Sequence, residues 1–193
     1  MDNSKYFTVN SKKKDTGIMS NIAIKEIEQQ RKNLEVEGGK YLTFFLRKEE
    51  YAIEILKVRE IIGLMPITPV PKLPDYIRGV LNLRGKIVPV MNLRTRFGLE
   101  EIEDTDETCI IVIQQDKYLM GVLVDKVSEV VDIETEEIED VPSVGVADQS
   151  EYLAGIGKAR DSVKMILEVQ KVLFDVPSRV LQVPGNESVN NKQ

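Results

Sequence analysis

One pattern occurs twice in this chain of 193 residues. Lys57-Val58-Arg59-Glu60-Ile61-Ile62 returns as Lys126-Val127-Ser128-Glu129-Val130-Val131, and Tyr76-Ile77-Arg78-Gly79-Val80 as Tyr152-Leu153-Ala154-Gly155-Ile156. Val70-Pro71 is echoed by Val141-Pro142, and Ile87–Met91 by Val163–Leu167. Self-similarity at an offset of roughly 67 to 76 residues marks a duplicated structural unit. Each copy reads as about five short strands. In the first they are Tyr41–Leu46, Tyr51–Leu56, Val58–Gly63 and two apolar runs, Val80–Leu83 and Ile87–Met91, around a tight turn at Arg84-Gly85-Lys86. In the second, Thr108–Ile113 and Tyr118–Val124 flank a polar turn over Gln114–Lys117. Pro66, Pro69, Pro71 and Pro74 forbid a helix between the third and fourth strands of the first copy and force an extended connection. Five short strands cannot bury both faces of an open sheet, so each copy is expected to curl into a small barrel and pack against its twin.

The flanks differ in character. Residues 1–39 read as an extension: Met1–Gly17 is polar and aperiodic, and Ser20–Leu34 carries a marginal helical pattern that Gly38-Gly39 stops. Leu93–Gly98 fits a short helical turn ended by its glycine, and Glu168–Phe174 a short C-terminal helix with Val169, Val172 and Leu173 on one side. Beyond it, residues 175–193 read as a tail, polar and loose past Pro177. The duplicated domain thus spans 40–174.

Composition excludes several functions. A net charge of -6 is wrong for a nucleic-acid binder. A single cysteine makes no internal disulfide, the polar opening lacks a signal peptide's apolar core, and no apolar run reaches membrane-spanning length. The expected compartment is the cytoplasm, without direct membrane insertion. With no histidine and one cysteine, the usual ligands for zinc, copper or iron are missing, and so is the commonest general base. No metal and no cofactor are expected.

Candidate chemistry fails residue by residue. Glu100–Glu107 and Asp132–Asp140 hold six carboxylates each, but neither has the glycine and terminal glutamate spacing of a calcium loop, so both read as solvated loops. Arg84-Gly85-Lys86 misses the phosphate-loop spacing, and Ile87 stands where a Ser or Thr should bind the metal. Cys109 opens an apolar strand with no basic neighbour, so it reads as an inert thiol. Ser128 has no histidine to activate it. Arg84 is different. Arg78, Arg84 and Lys86 crowd nine residues, while Glu54 and Glu60 lie on strands of the same copy. A guanidinium fork can organise a neighbouring carboxylate or meet a partner's carbonyls. The residues alone leave a structural and a recognition role equally open.

The run Arg78-Gly79-Val80-Leu81-Asn82-Leu83-Arg84-Gly85-Lys86-Ile87-Val88-Pro89-Val90-Met91-Asn92-Leu93-Arg94 closely resembles the signature of the CheW chemotaxis coupling family. Glu50–Ile61, Gly121–Val127 and Glu151–Gly157 are similar to three further motifs of that family, so the resemblance covers about Tyr41 to Phe174. It implies an all-β fold of two intertwined five-stranded barrels, SH3-like in topology and packed together, with a short C-terminal helix and a flexible N-terminal extension. It implies no enzymatic activity. The partners implied are the cytoplasmic tips of methyl-accepting chemoreceptors and the regulatory domain of the histidine kinase CheA, which an isolated monomer would join in membrane-associated arrays.

Carried over by position, Arg84 matches the arginine of receptor coupling, and Val58, Glu60 and Ile87 match the receptor groove. Leu64 and Val144 match positions near the kinase interfaces, where Val144 stands in place of an aromatic residue and Glu139 of a basic one. An alternative implied by similarity is the coupling domain of a CheV-like protein acting with a receiver partner. At the hairpin tip, Gly157-Lys158-Ala159-Arg160-Asp161 replaces Asn82-Leu83-Arg84-Gly85-Lys86 in the second copy, so only the first copy retains the Asn-Leu-Arg-Gly turn. That asymmetry favours recognition over structure.

Overall fold

The computed structural model describes residues 38–141, 150–160 and 162–182. They form strands β1 (Gly39–Leu46), β2 (Glu49–Glu54), β3 (Val58–Gly63), β4 (Ile77–Leu83), β5 (Lys86–Asn92), β6 (Cys109–Gln115), β7 (Tyr118–Val124), β8 (Lys126–Ile133), β9 (Ile138–Glu139), β10 (Leu153–Ala159) and β11 (Ser162–Leu167). The helix expected over Ser20–Leu34 lies outside the described residues.

The strands make two sheets, ordered β3-β6-β7-β5-β4 and β8-β1-β2-β11-β10-β9. Neither is built from one copy. The β1–β2 hairpin of the first copy pairs with β8 and β11 of the second, and the β6–β7 hairpin of the second pairs with β3 and β5 of the first. The expectation that each copy closes on itself is therefore corrected to an exchange of hairpins, as the intertwined arrangement implied by the resemblance requires. The connections give the reason. β7 passes to β8 through Asp125 alone and β2 to β3 through the single turn Ile55–Lys57. A one-residue link cannot reverse a strand into an antiparallel neighbour, so the chain crosses to the other sheet instead.

Each sheet wraps round on itself. Past β3, Thr68 exchanges backbone hydrogen bonds with Val80 of β4 at 2.8 and 2.9 Å, bringing the two edges of the first sheet together. In the second sheet β9 does the same against β10, which adds a two-residue sixth strand to the expected five. Gly79 is required at this closure: its φ is +149°, and a Cβ there would lie 2.3 Å from the Thr68 carbonyl oxygen.

Leu81, Val88, Val90, Ile110, Val112 and Leu119 fill the first barrel, and Tyr41, Ala52, Val131, Ile133 and Ile166 the second. A larger cluster, with Phe44, Leu46, Ile53, Met91, Ile111, Ile113, Met120 and Val122, joins the two sheets. Strands β6 and β7 are buried on both faces, which is why Ile110–Ile113 and Leu119–Val124 show no polar alternation. A helical turn α1 (Leu93–Arg96) follows β5, and its Asn92 cap side chain accepts from the Arg94 backbone N–H at 3.0 Å. A wide turn over Gln170–Phe174, closed by Asp175 N–H on the Gln170 carbonyl at 3.0 Å, seals the large cluster. The expectation of a loose tail past Pro177 is corrected at its start: α2 (Ser178–Leu181) sets Val180 fully buried in that cluster.

Candidate partner-docking site

The β4–β5 hairpin turns in two residues, Arg84 and Gly85, because Leu83 faces Lys86 directly. Both turn residues have positive φ, 53° and 87°, the left-handed pair whose twist matches the flanking strands. Gly85 adopts it freely; Arg84 adopts it at a cost. The Asn82 side chain fixes the turn by accepting from Gly85 N–H at 2.8 Å. The tip is a rigid support for one guanidinium.

Across the closure, β3 carries a bulge between Val58 and Glu60 in its pairing with β6. The bulge turns the Glu60 side chain toward the barrel interior, opposite Val112. Arg84 Nη2 donates to Glu60 Oε2 at 2.8 Å. The pair is lopsided: the Arg84 side chain is 80% exposed and that of Glu60 only 19%. A recessed carboxylate therefore anchors one nitrogen of an arginine whose bulk lies in solvent, and the pair ties the two edge strands of the first barrel together.

The neighbouring charges are held elsewhere. Arg78 grips Asp104 with both terminal nitrogens, at 2.9 and 2.6 Å, and this fork holds the Asp104 carboxyl below its ordinary range despite partial burial. Glu54 pairs with Lys57 at 3.0 Å. The acidic run after α1 is an exposed loop, as expected, tied down by a few side-chain bonds. Glu101 accepts from Asn92 at 3.1 Å and Thr95 at 2.6 Å, and Glu107 meets Lys126 at 3.2 Å. Burial pushes the Cys109 thiol up, which keeps it protonated.

Of the four residues matched to the receptor groove, Glu60 and Arg84 are joined by this bond. Val58 packs against the large inter-sheet cluster and lines a shallow groove of about 370 Å³ with Leu56, Lys57, Arg59, Gln114 and Asp116. Leu56, 94% exposed, is an apolar side chain that sequence reasoning passed over as the end of a strand. Ile87 is half-buried on β5 opposite Asn82. Leu64 is exposed just past β3 together with Met65. Val144 lies outside the described residues, and Glu139 pairs with Lys158 at 2.5 Å.

The asymmetry expected between the two hairpin tips is corrected, because the tips align one residue further on. Ala159 faces Ser162 across the second hairpin, so Arg160 occupies the place of Arg84, with φ 49° against 53°. Its guanidinium donates to Glu129, which stands on β8 where Glu60 stands on β3. The ion pair is thus duplicated with the fold. What separates the copies is depth: the Glu129 side chain is 37% exposed, about twice as open as Glu60. The strand echo of Val163–Leu167 with Ile87–Met91 already carried the correct alignment, which an alanine and an aspartate at the tip obscured.

Known proteins agree with this architecture. The family model described as a CheW-like domain matches residues 40–176. The chain belongs to the CheW-like family. The chemotaxis protein CheW of Klebsiella aerogenes is 37% identical over 139 residues, covering 72% of this chain and 84% of that protein. The chemotaxis protein CheW of Bacillus subtilis is 36% identical, covering 70% of this chain and 87% of that protein. The crystal structure of the scaffolding protein CheW from Thermoanaerobacter tengcongensis matches with a TM-score of 0.64 at 32% identity, over 79% of this chain and 98% of that one. The chemotaxis protein CheV3 of Helicobacter pylori is 27% identical and is covered over 42% of its length.

Proposed function

We infer that this chain is a chemotaxis coupling adaptor, which links chemoreceptor cytoplasmic tips to the regulatory domain of a histidine kinase by contacts rather than catalysis. Its relatives are named as chemotaxis and scaffolding proteins, and they match along most of their length. Among the described residues no helix is long and apolar enough to cross a membrane.

The observation that carries the receptor assignment is the Arg84–Glu60 pair. A positive-φ turn holds the arginine out, Glu60 restrains one nitrogen, and the rest of the fork faces solvent. Such a group meets backbone carbonyls or carboxylates at the end of a partner helix with little loss of side-chain entropy. Val58 and Leu56 in the adjoining groove, with Ile87 on β5, supply apolar area for the helix itself. Leu64, with Met65 beside it, and Val144 are assigned to the kinase.

The test pairs two equivalent substitutions. Arg84→Ala and Arg160→Ala remove the same interaction from the same fold position, so a structural role predicts equal consequences. A pull-down with a receptor-tip fragment and a separate kinase regulatory domain is expected to lose at least tenfold of receptor capture with Arg84→Ala and little with Arg160→Ala. Capture of neither fragment by the unaltered protein would overturn the adaptor reading, and equal loss in the two variants would overturn the assignment of Arg84.

A further inference from the structure

The two crossings between the sheets stand at equivalent places in the repeat and are built from opposite chemistry. Leu42 opposite Ile53 in β1·β2 recurs, 69 residues on, as Ile111 opposite Val122 in β6·β7. The same offset sets Leu56 where the second copy has Asp125, and Asp116 where the first has Arg47; the last two are hairpin-tip residues with φ 52° and 58°. At the Asp125 crossing the carboxylate is held by the Arg94 guanidinium and by Arg47 N–H. At the Ile55–Lys57 crossing an apolar side chain, Leu56, takes the place of that carboxylate and is 94% exposed. A closed polar contact in one copy is thus an open groove of about 370 Å³ in the other.

The charges around this groove are left open in the same way. Arg59 is the extra residue of the β3 bulge, between Val58 and Glu60, and its equivalent on β8 is Ser128. A bulge re-aims the side chain it carries. Arg59 Nη1 donates to Gln114 Oε1 at 2.7 Å, and both residues line the groove. That partner is a neutral amide, and among the described residues no carboxylate pairs with Arg59. Asp116 is engaged only through its backbone carbonyl, which accepts from Gln114 Nε2 at 3.1 Å, so among the described residues its carboxylate has no cation. Lys57, by contrast, is neutralised by Glu54 at 3.0 Å. One uncompensated cation and one uncompensated anion therefore flank the apolar surface of Leu56 and Val58.

We propose that Arg59 and Asp116 select the receptor tip by charge: the helix laid on Leu56 and Val58 presents a carboxylate to Arg59 and a lysine or arginine to Asp116. This rests on the receptor reading of the groove given above and adds what the groove discriminates. The Arg84 fork accepts any carbonyl or carboxylate at a helix end and so carries little selectivity of its own. Two opposite charges beside one apolar strip reject a helix whose charges are reversed, because it meets repulsion at both places. Residues three or four apart share a helix face, so an acid and a base at that spacing, next to an apolar side chain, make the matching pattern. Both charges are exposed, so their effect falls on encounter and partner choice and is screened by salt.

The test uses the full chain with a receptor-tip fragment as the probe, and titration calorimetry at low and high salt. Arg59→Glu reverses the cation; Asp116→Arg reverses the anion and copies the residue that the equivalent turn carries at Arg47. Both variants are expected to keep the thermal midpoint of the unaltered protein. Each is expected to weaken binding about tenfold at low ionic strength, with the deficit closing as salt is raised. Reversing the charged residues of the fragment one at a time is expected to yield one acid-to-lysine change that restores binding to Arg59→Glu and does not restore it to Asp116→Arg. Binding by both variants within about twofold of the unaltered protein at low salt, while Arg84→Ala weakens capture, would overturn this proposal alone. A deficit that persists at high salt and that no charge reversal in the fragment repairs would assign the loss to groove shape and overturn it as well. Failure of the unaltered protein to bind the fragment would overturn it together with the adaptor reading.

Discussion

Arg94 holds Asp125 through two guanidinium nitrogens, Nε at 2.6 Å and Nη2, at the one residue where the chain crosses from the first sheet to the second. The Asp125 carboxylate also accepts from Arg47 N–H at 2.6 Å, so it fixes the β1–β2 turn of the second sheet as well. The Arg94 side chain is almost fully buried. Arg94→Ala would strand a largely buried carboxylate and is expected to cost about 3 kcal/mol in chemical denaturation. Lys40→Ala, which breaks the exposed pair with Asp132, is expected to cost less than about 1 kcal/mol.

Asp104 links stability to acid. Its grip by Arg78 depresses the folded pKa below the ordinary 3.8, so the unfolded chain takes up the proton first as pH falls. The stabilisation is therefore complete well above pH 3.8 and is lost as pH drops through that value toward the folded pKa. Asp104→Asn is expected to lower stability at pH 7 and to flatten the acid limb of a denaturation-midpoint profile. An acid limb as steep as that of the unaltered protein would count against the link.

Tyr51 does the reverse in alkali. Stacked on Phe44 and packed against the tilted ring of Phe97, with ring centroids 5.9 and 5.4 Å away, its phenol is pushed up to about 12 by burial and, secondarily, by Glu49. The neutral form belongs to the folded state, so this contribution is full below pH 10 and erodes between pH 10 and 12. Tyr51→Phe cannot ionise, and its alkaline unfolding midpoint is expected to move to higher pH.

Gly79 tests the closure of the first barrel. A methyl group there meets the Thr68 carbonyl at 2.3 Å on a positive-φ backbone, so Gly79→Ala must break the Thr68–Val80 bridge. A loss of about 2 kcal/mol or more is expected. Gly85→Ala, at φ +87° with nothing within 4 Å, is expected to cost only about 1 kcal/mol from backbone strain. Hydrogen exchange at Val80 N–H separates the two, since only the first variant opens it.

The strands were legible because β-branched runs and the repeat itself mark them: Tyr118–Val124 falls where the pattern puts it. The exchange of hairpins was not legible in the strand pattern itself; the family resemblance supplied it as an intertwined arrangement, and its physical ground is the one-residue link at Asp125. One contact across the exchanged strands, the buried ion pair of Glu50 with Lys164, spans 114 residues and becomes visible only once register is known. The same holds for Arg94 and Asp125, which lie in motifs that sequence reading quoted separately. At the candidate site the hairpin and Glu60 were legible, whereas the twin pair Arg160–Glu129 was hidden by a misaligned tip. Val180 was hidden by the polar residues around it.

The duplicated ion pair allows recognition to be separated from structure within one molecule. Arg84→Glu with Glu60→Arg exchanges the charges of the first pair, and Arg160→Glu with Glu129→Arg does the same in the second. The second pair is exposed on both sides, so its reversal is expected to shift stability by no more than about 1 kcal/mol, while the recessed place of Glu60 makes the first reversal the costlier one, and binding is compared at temperatures where both variants are folded. The functional outcome should divide. If the outward guanidinium of Arg84 is read by a receptor tip, reversing the first pair places a carboxylate where the partner expects a donor, and binding is expected to fall at least a hundredfold. Reversing the second pair is expected to leave receptor binding within about twofold. Equal loss in the two variants would mean that the pairs act through the barrels they close, and an unchanged affinity in both would remove Arg84 from the interface.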